Sequence, residues 1–210
     1  MKISRQQIAW LKYLIIFICL LPFLFLIAGF YLNRLGANPL ETLTHETGLW
    51  CLRFLLITLL MTPLKLILKL NFVIQFRRMF GLYAYFYGVL HLVTYVWFDQ
   101  FFAFSDIWLD IQARPFIAVG FFSMLLMTPL AITSSDWMIK KMGGKNWQLL
   151  HKMVYIVAIL ACVHYLWLVK INITSPLYYT AILTILLGIR VLFWVKKSRI
   201  KNKKLSKNQI

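Results

Sequence analysis

The sequence predicts an all-α fold: an integral membrane bundle of six transmembrane helices with both termini in the cytoplasm. The 210-residue chain is 61% hydrophobic and only 14% charged, whereas a soluble domain is about 45–50% apolar and about 25% charged. Apolar runs long enough to cross a hydrocarbon core of about 30 Å recur along the chain. Because these runs are continuous rather than alternating, they do not fit a membrane β-barrel.

The six spans differ in their boundary signals. The first begins after Lys12, is too long for a signal-peptide core and lacks a small-residue cleavage site, so we expect a retained helix. The second carries Arg53 and Lys65 near its ends, where long cationic side chains reach the interface. The sixth carries Arg190. The predicted spans cover about 13–32, 49–68, 79–98, 115–135, 150–169 and 176–195.

The predicted orientation follows from the distribution of positive charge. The formal net charge is +17, and most Lys and Arg residues lie in the N-terminal segment, in the loops after the second and fourth spans, and in the tail. Only Arg34, Arg114 and Lys170 lie on the other side. The positive-inside rule therefore places both termini in the cytoplasm. The basic tail, 196–210, is interpreted as a cytoplasmic segment attracted to anionic lipid, with docking of a partner as the alternative.

We expect a single membrane domain over 1–210, because no loop is long enough to add a soluble catalytic domain. The chain has neither a G-x-G-x-x-G segment nor a phosphate loop, so we expect no nicotinamide binding of the usual kind. Residues 59–64, LLMTPL, recur letter for letter as 125–130. Proline inside a membrane helix frees a carbonyl that a Thr hydroxyl or a neighbouring helix can satisfy. The repeat thus favours two related helix hairpins around a shared interior.

Two histidines are predicted to lie at one depth in the membrane. His91 lies 12 residues past Met79 and His164 lies 11 residues past Met153, which at about 1.5 Å per residue places both roughly 17 Å from the inner ends of their helices. Ionisable side chains at this depth are rare and indicate function. Two facing imidazoles at one level are what a six-coordinate b-type haem requires. Structural hydrogen bonds across helices are the alternative, and zinc is disfavoured for lack of further ligands.

The inner end of the bundle offers only half of a second haem site. His151 lies 13 residues before His164, hence roughly 20 Å lower. The position 14 residues before His91, on nearly the same helix face, is Arg77 rather than a histidine. Arginine stays protonated and is a poor iron ligand. We therefore predict one firmly held haem, with the level of His151 and Arg77 serving flavin, quinone or a weakly bound second haem. His45, in the predicted loop 33–48, is expected to be solvated.

The chain resembles the haem-binding membrane subunit of the bacterial periplasmic protein-methionine-sulfoxide reductase system, the MsrQ-type family. That family lies within the wider ferric-reductase and NADPH-oxidase-like transmembrane group. The similarity covers nearly the full length. It rests on RRMFGL at 77–82, His91 with Tyr95, Arg114 with Pro115, TPLA at 128–131 with Thr133 and Ser134, WQLLH at 147–151 with Tyr155, and HYLW at 164–167 with Lys170.

The resemblance implies a transmembrane electron-transfer subunit in the bacterial inner membrane. Such a subunit takes electrons from the quinone pool or from a cytoplasmic flavin reductase and passes them through haem b, and reportedly FMN. The acceptor is a periplasmic molybdopterin-containing subunit that reduces methionine sulfoxide in oxidised envelope proteins; the membrane subunit is not itself that catalyst. His91, His164 and His151 match the family's haem-associated histidines, the first two as iron ligands and His151 as a candidate. Arg77 matches a position suggested to serve the cytoplasmic site.

Two alternatives remain open at this point. A free-standing haem protein that reduces ferric iron or quinone has the same membrane features, and the neighbouring gene would distinguish it. A cofactor-free transporter or assembly factor would use its histidines for packing or proton relay. A Soret band in the purified protein separates that class from an electron-transfer subunit.

Overall fold

Residues 4–207 are described by a computed structural model, with the side chains of Arg5 and of 200–207 outside that description. Nine α-helices occur within this range, and their bounds are α1 Arg5–Tyr31, α2 Pro39–Ile67, α3 Arg77–Thr94, α4 Phe104–Ala113, α5 Pro115–Ile132, α6 Asp136–Met142, α7 Gly144–His151, α8 Val154–Leu168 and α9 Thr174–Lys207. A 3₁₀ turn, Asn71–Phe76, precedes α3, and a π-helical turn, Tyr95–Asp99, follows it.

Six helical segments are long and apolar enough to cross a membrane, as the sequence predicts. They are Gln6–Tyr31, Pro39–Ile67, Asn71–Asp99, Pro115–Ile132, Gly144–Leu168 and Thr174–Arg199. The all-helical prediction is confirmed, and the chain is a multi-pass membrane protein. The cytoplasmic placement of the termini stays a prediction. Most of the predicted basic tail, 196–210, lies outside the residues whose side chains the structure describes. The interpretation of this tail therefore stays a prediction.

Several boundaries differ from the predicted ones for local reasons. The second helix begins about ten residues earlier than its predicted span, because the Asn38 side chain caps it and Pro39 occupies its first turn. His45 consequently lies on α2, and its predicted loop position is wrong. The fifth span is interrupted between α7 and α8. The short helices α4 and α6 are too short to span a membrane and were not predicted.

The helices pair as two hairpins around a common interior. Helix α2 packs mainly against α3, and α5 packs mainly against α8, while α9 contacts both α2 and α8. The buried core between them includes Leu55, Tyr87, Met127 and Ala158. This pairing brings one histidine-bearing helix from each hairpin to the interior, His91 on α3 and His164 on α8.

Proline in the membrane helices determines two contacts between helices. Pro63 has no N–H to donate to the Leu59 carbonyl four residues before it, and the guanidinium of Arg190 on α9 donates to that carbonyl instead. In α1, beside Pro22, the hydroxyl of Tyr87 accepts a hydrogen bond from the Phe23 N–H and donates one to the Cys19 carbonyl. A neighbouring helix thus satisfies the backbone groups of each interrupted helix.

We predict that Tyr87→Phe destabilises the bundle by about 1–3 kcal/mol, because two buried backbone groups lose their shared partner. Tyr87 is 0% exposed, and its hydroxyl joins α3 to α1 at 2.8 and 3.0 Å. The measurement is the denaturant midpoint in detergent. Tyr83→Phe is the matched control, since Tyr83 lies one turn earlier and makes a single exposed bond to the Ile16 carbonyl. Equal losses in the two variants would contradict this role for Tyr87.

Candidate functional site

Two cavities open into the interior of the bundle, one above the other, and they are called outer and inner after the orientation that the sequence predicts. The outer cavity has a volume of about 890 Å³ and is lined by His91 and His164 among mainly apolar side chains. The inner cavity has a volume of about 370 Å³ and is lined by Arg77 and His151. The structure therefore places the predicted site residues in two groups: the histidine pair in one cavity, and Arg77 with His151 in the other.

His91 and His164 face each other across the outer cavity. Their ring centres are 6.1 Å apart and their ring planes are inclined by 75°. A metal ion held between two imidazoles needs two metal–nitrogen bonds of about 2 Å each, and each nitrogen lies about 1 Å from its ring centre. The two ring centres should then be roughly 6 Å apart. The pair is thus spaced to ligate one metal centre between the two rings.

Each of these imidazoles is oriented by one hydrogen bond to a helix carbonyl. His91 Nδ1 lies 2.8 Å from the Thr44 carbonyl oxygen on α2, and His164 Nδ1 lies 2.6 Å from the Phe116 carbonyl oxygen on α5. Because a carbonyl only accepts, Nδ1 carries the proton in both rings and donates it. The Nε2 lone pairs are then free, and within the described part of the chain neither Nε2 has a hydrogen-bond partner. This arrangement typically orients a metal-ligating histidine.

Glycine makes both contacts possible. A Cβ on Gly48 would lie 3.0 Å from His91 Nδ1, and a Cβ on Gly120 would lie 2.7 Å from His164 Nδ1. The glycines follow Thr44 and Phe116 by four residues, so each leaves space directly above the carbonyl that its histidine binds. Both hairpins thus orient their histidine in the same way, through a helix carbonyl that is followed four residues later by a glycine. The outer cavity fits a haem held between the two imidazoles.

A short helix, α4, lines the outer end of this cavity. Phe104, Ile107, Trp108 and Ile111 of α4 contribute to its lining at helical spacing. Asp110, on the same helix, accepts hydrogen bonds from Tyr95 and Gln100 and pairs with Arg114. These contacts hold α4 at the end of the bundle, where its apolar residues form part of the cavity wall.

His151 differs from the other pair in both tautomer and surroundings. Its Nε2 lies 3.1 Å from Thr133 Oγ1, and the Thr133 hydroxyl already donates to the Pro129 carbonyl. Nε2 must therefore carry the proton and donate it to Thr133. The ring also stacks on Trp147, with ring centres 4.0 Å apart. His151 thus lacks the free Nε2 that His91 and His164 share.

The inner cavity is strongly cationic. Arg77, Arg78, Lys152 and Arg190 all line it, and its described lining contains no Asp or Glu. Arg78 is paired with Asp136 at 2.6 Å, and this hydrogen bond lowers the pKa of the Asp136 carboxyl below its ordinary value. Arg190 contributes from the last helix, a role that the sequence did not indicate.

The structure shows what sequence reasoning missed. His45 is exposed on α2 and lies at the rim of the outer cavity rather than in a loop. The sequence predicted no role for the two glycines, Thr133 or Arg190, because each acts through a contact distant in sequence. Among the described side chains, no three His, Cys, Asp or Glu residues group as a zinc site would require.

Comparison with known proteins identifies the family. The family described as ferric reductase like transmembrane component matches residues 47–162. The chain is 43% identical to the protein-methionine-sulfoxide reductase heme-binding subunit MsrQ of Herminiimonas arsenicoxydans over 97% of this chain and 94% of the relative. It is 50% identical to the subunit of the same name from Polaromonas naphthalenivorans, over 90% and 87% of the two chains. The chain therefore belongs to the MsrQ family of haem-binding subunits, within the ferric-reductase-like transmembrane proteins.

Proposed function

We propose that this chain is a transmembrane electron-transfer subunit that holds one b-type haem between His91 and His164. The observation that carries the proposal is the matched pair of Nδ1 hydrogen bonds, which leaves two Nε2 lone pairs facing one cavity. When bound, the haem takes up and releases one electron at a time. The protein orients the two ligands, and the apolar lining with α4 limits the access of water.

The inner cavity is the place for an electron carrier on the donor side. Leu55 and Met127 line both cavities and are 2% and 5% exposed, so a single layer of side chains separates the two spaces. An electron that enters from the inner end thus crosses only this layer to reach the haem. The donor in this proposal is the quinone pool or a cytoplasmic flavin reductase, with FMN or a quinone in the inner cavity.

Arg77 and His151 serve this inner carrier rather than a second firmly bound haem. The Nε2 of His151 is engaged by Thr133, and the facing position holds a guanidinium that does not ligate iron. A guanidinium is well suited to hold anionic oxygens. The two residues therefore contact the carrier, and His151 keeps its ring stacked on Trp147 as part of that wall.

The acceptor in this proposal is a periplasmic molybdopterin-containing methionine-sulfoxide reductase that repairs oxidised envelope proteins. The names of the relatives support such a partner, since each is a subunit of a protein-methionine-sulfoxide reductase.

The subunit lies in the bacterial inner membrane, with both termini in the cytoplasm and the outer cavity toward the periplasm. A reporter active only in the periplasm should then be silent after Ile210 and active near Asp106; the reverse pattern would contradict this orientation.

Replacing either haem ligand should abolish low-spin haem. In His91→Ala or His164→Ala, one imidazole remains and leaves the iron five-coordinate. The measurement is the absorption spectrum of the purified protein after haem-replete expression. His45→Ala is the control, since His45 is exposed at the cavity rim. A wild-type spectrum in both ligand variants would refute the pairing.

Haem ligation by His164 can also be tested without substituting the histidine itself. In Gly120→Ala the new methyl lies 2.7 Å from His164 Nδ1, so the ring must move off the Phe116 carbonyl. We expect haem to be held about 10–100-fold more weakly, the usual effect of losing such an orienting contact. Gly188→Ala is the control, because nothing lies within 4 Å of its added Cβ.

Replacing His151 should slow electron entry without removing the outer haem. His151→Ala leaves His91 and His164 intact, so the spectrum should stay close to that of the wild type. Reduction of the haem by the cytoplasmic-side donor should become several-fold slower, as followed by stopped-flow absorbance. Complete loss of haem, or reduction at the normal rate, would contradict the proposal that His91 and His164 hold the haem while His151 serves electron entry.

A further inference from the structure

One cation within the membrane span of α9 has only neutral partners. Arg190 donates hydrogen bonds to the Leu59 and Leu186 carbonyls, and its guanidinium lies 5.5 Å from the ring centre of Tyr155. Its Nε is buried and has no hydrogen-bond partner in the described part of the chain. These contacts orient the guanidinium but leave its positive charge uncompensated. Such a charge inside a membrane bundle is rare and indicates a function.

The carboxylate side chains of the protein are engaged or placed elsewhere. The sequence has six Asp and Glu residues, and all six lie in the described part of the chain. Asp136 is already paired with Arg78. On α2, Glu46 lies 13 residues before Leu59, which at about 1.5 Å per residue is roughly 20 Å along the helix. The other four, Glu41, Asp99, Asp106 and Asp110, lie toward the outer end of the bundle.

The charge of Arg190 lies below the proposed haem site. The guanidinium lines the inner cavity, which a single layer of side chains separates from the outer cavity. The Leu59 carbonyl that it binds lies 11 residues along α2 from Gly48, the glycine against which the His91 ring packs. At about 1.5 Å per residue, the guanidinium is therefore roughly 16 Å below the level of that ring.

We propose that Arg190 raises the reduction potential of the haem held by His91 and His164. The inference rests on the proposed function, and Arg190 acts through its electric field without contacting the haem. When ferric haem takes up one electron and becomes ferrous, the charge at iron falls by one, so a nearby positive charge favours the reduced form. At an effective dielectric constant of about 20, a unit charge roughly 16 Å away favours reduction by about fivefold. That factor corresponds to about 40 mV, because tenfold is 59 mV for a one-electron couple.

The position of this charge determines what it does for electron transfer. Arg190 lies on the donor side of the haem, whereas Glu41 and Asp99 line the opposite part of the outer cavity. A higher haem potential increases the driving force for electron entry from the donor side. Because the guanidinium lies inside the bundle, salt screens it less than it screens an exposed charge.

The test is a redox titration of the haem-loaded full chain in nanodiscs of neutral phosphatidylcholine. No flavin or quinone is added, and the ferrous fraction is followed by the haem absorption bands. Arg190→Gln removes the charge and keeps an amide that can donate to the Leu59 carbonyl. We expect its midpoint potential to fall by about 40 mV, the shift for a fivefold change, while the low-spin spectrum is unchanged. Arg190→Lys keeps the charge and should stay close to the wild-type potential.

Two further variants separate the charge in the cavity from charge elsewhere and from the contact with Leu59. Arg199→Gln is the matched control and should leave the potential unshifted. Arg199 is an exposed arginine on the same helix, outside the cavity lining and nine residues further from the haem. Lys152→Gln removes a second cation that lines the cavity and leaves the Leu59 contact intact. It should lower the potential by less, since Lys152 follows His151, roughly 20 Å below the level of His164.

A wild-type potential in Arg190→Gln, or in Lys152→Gln should the first variant not assemble, would overturn the proposal. Equal decreases in Arg190→Gln and Arg190→Lys would assign the effect to the Leu59 contact rather than to charge, and would also overturn it. The Soret band of the same samples reports the haem separately. An intact low-spin spectrum with an unshifted potential refutes this inference alone, whereas absence of haem from the wild type refutes the proposed function.

Discussion

The outer site depends on one interaction made twice: an imidazole Nδ1–H donated to the carbonyl of a neighbouring helix. This bond sets the tautomer, fixes the ring plane and leaves Nε2 as the only free nitrogen. It also requires two helices to approach closely, and glycine at positions 48 and 120 provides the space. Because the partner carbonyls lie on α2 and α5, the pairing of helices within each hairpin determines where the two rings meet. Fold and site are thus specified by the same contacts.

The second constraint is that hydrocarbon offers no water to backbone groups, so the groups near Pro22 and Pro63 take their partners from a neighbouring helix. Tyr87 provides it for α1, and Arg190 provides it for α2. Each contact joins helices that are far apart in sequence. Arg190 illustrates how such a structural contact can also create a functional feature, since the same guanidinium that binds the Leu59 carbonyl brings a positive charge to the inner cavity.

The sequence was sufficient for features that depend on local regularity. Helical rise alone predicted that His91 and His164 share a level, and hydropathy predicted six spans that the helices match in number and approximate position. Features that depend on contacts between helices were out of reach. The tautomer of His151 depends on Thr133, and the role of Gly120 depends on a ring that another helix presents. The start of α2 was missed for a different reason: its first turns are polar, and only the cap at Asn38 marks them.

The two cavities assign opposite roles to the same side chain. In the outer cavity each imidazole donates its Nδ1–H to a carbonyl oxygen and leaves the lone pair of Nε2 free. In the inner cavity the Nε2 of His151 is engaged by Thr133, and the charged side chains of the described lining are all cations. Neutral imidazole nitrogens suit iron, and converging cations suit anionic oxygens. The layer of Leu55 and Met127 keeps these environments apart yet thin enough to stay adjacent. The proposed arrangement, a single haem beside one electron carrier, rests on this difference in chemistry, whereas two equivalent haems would require the inner cavity to repeat the carbonyl-bound histidine pair of the outer one.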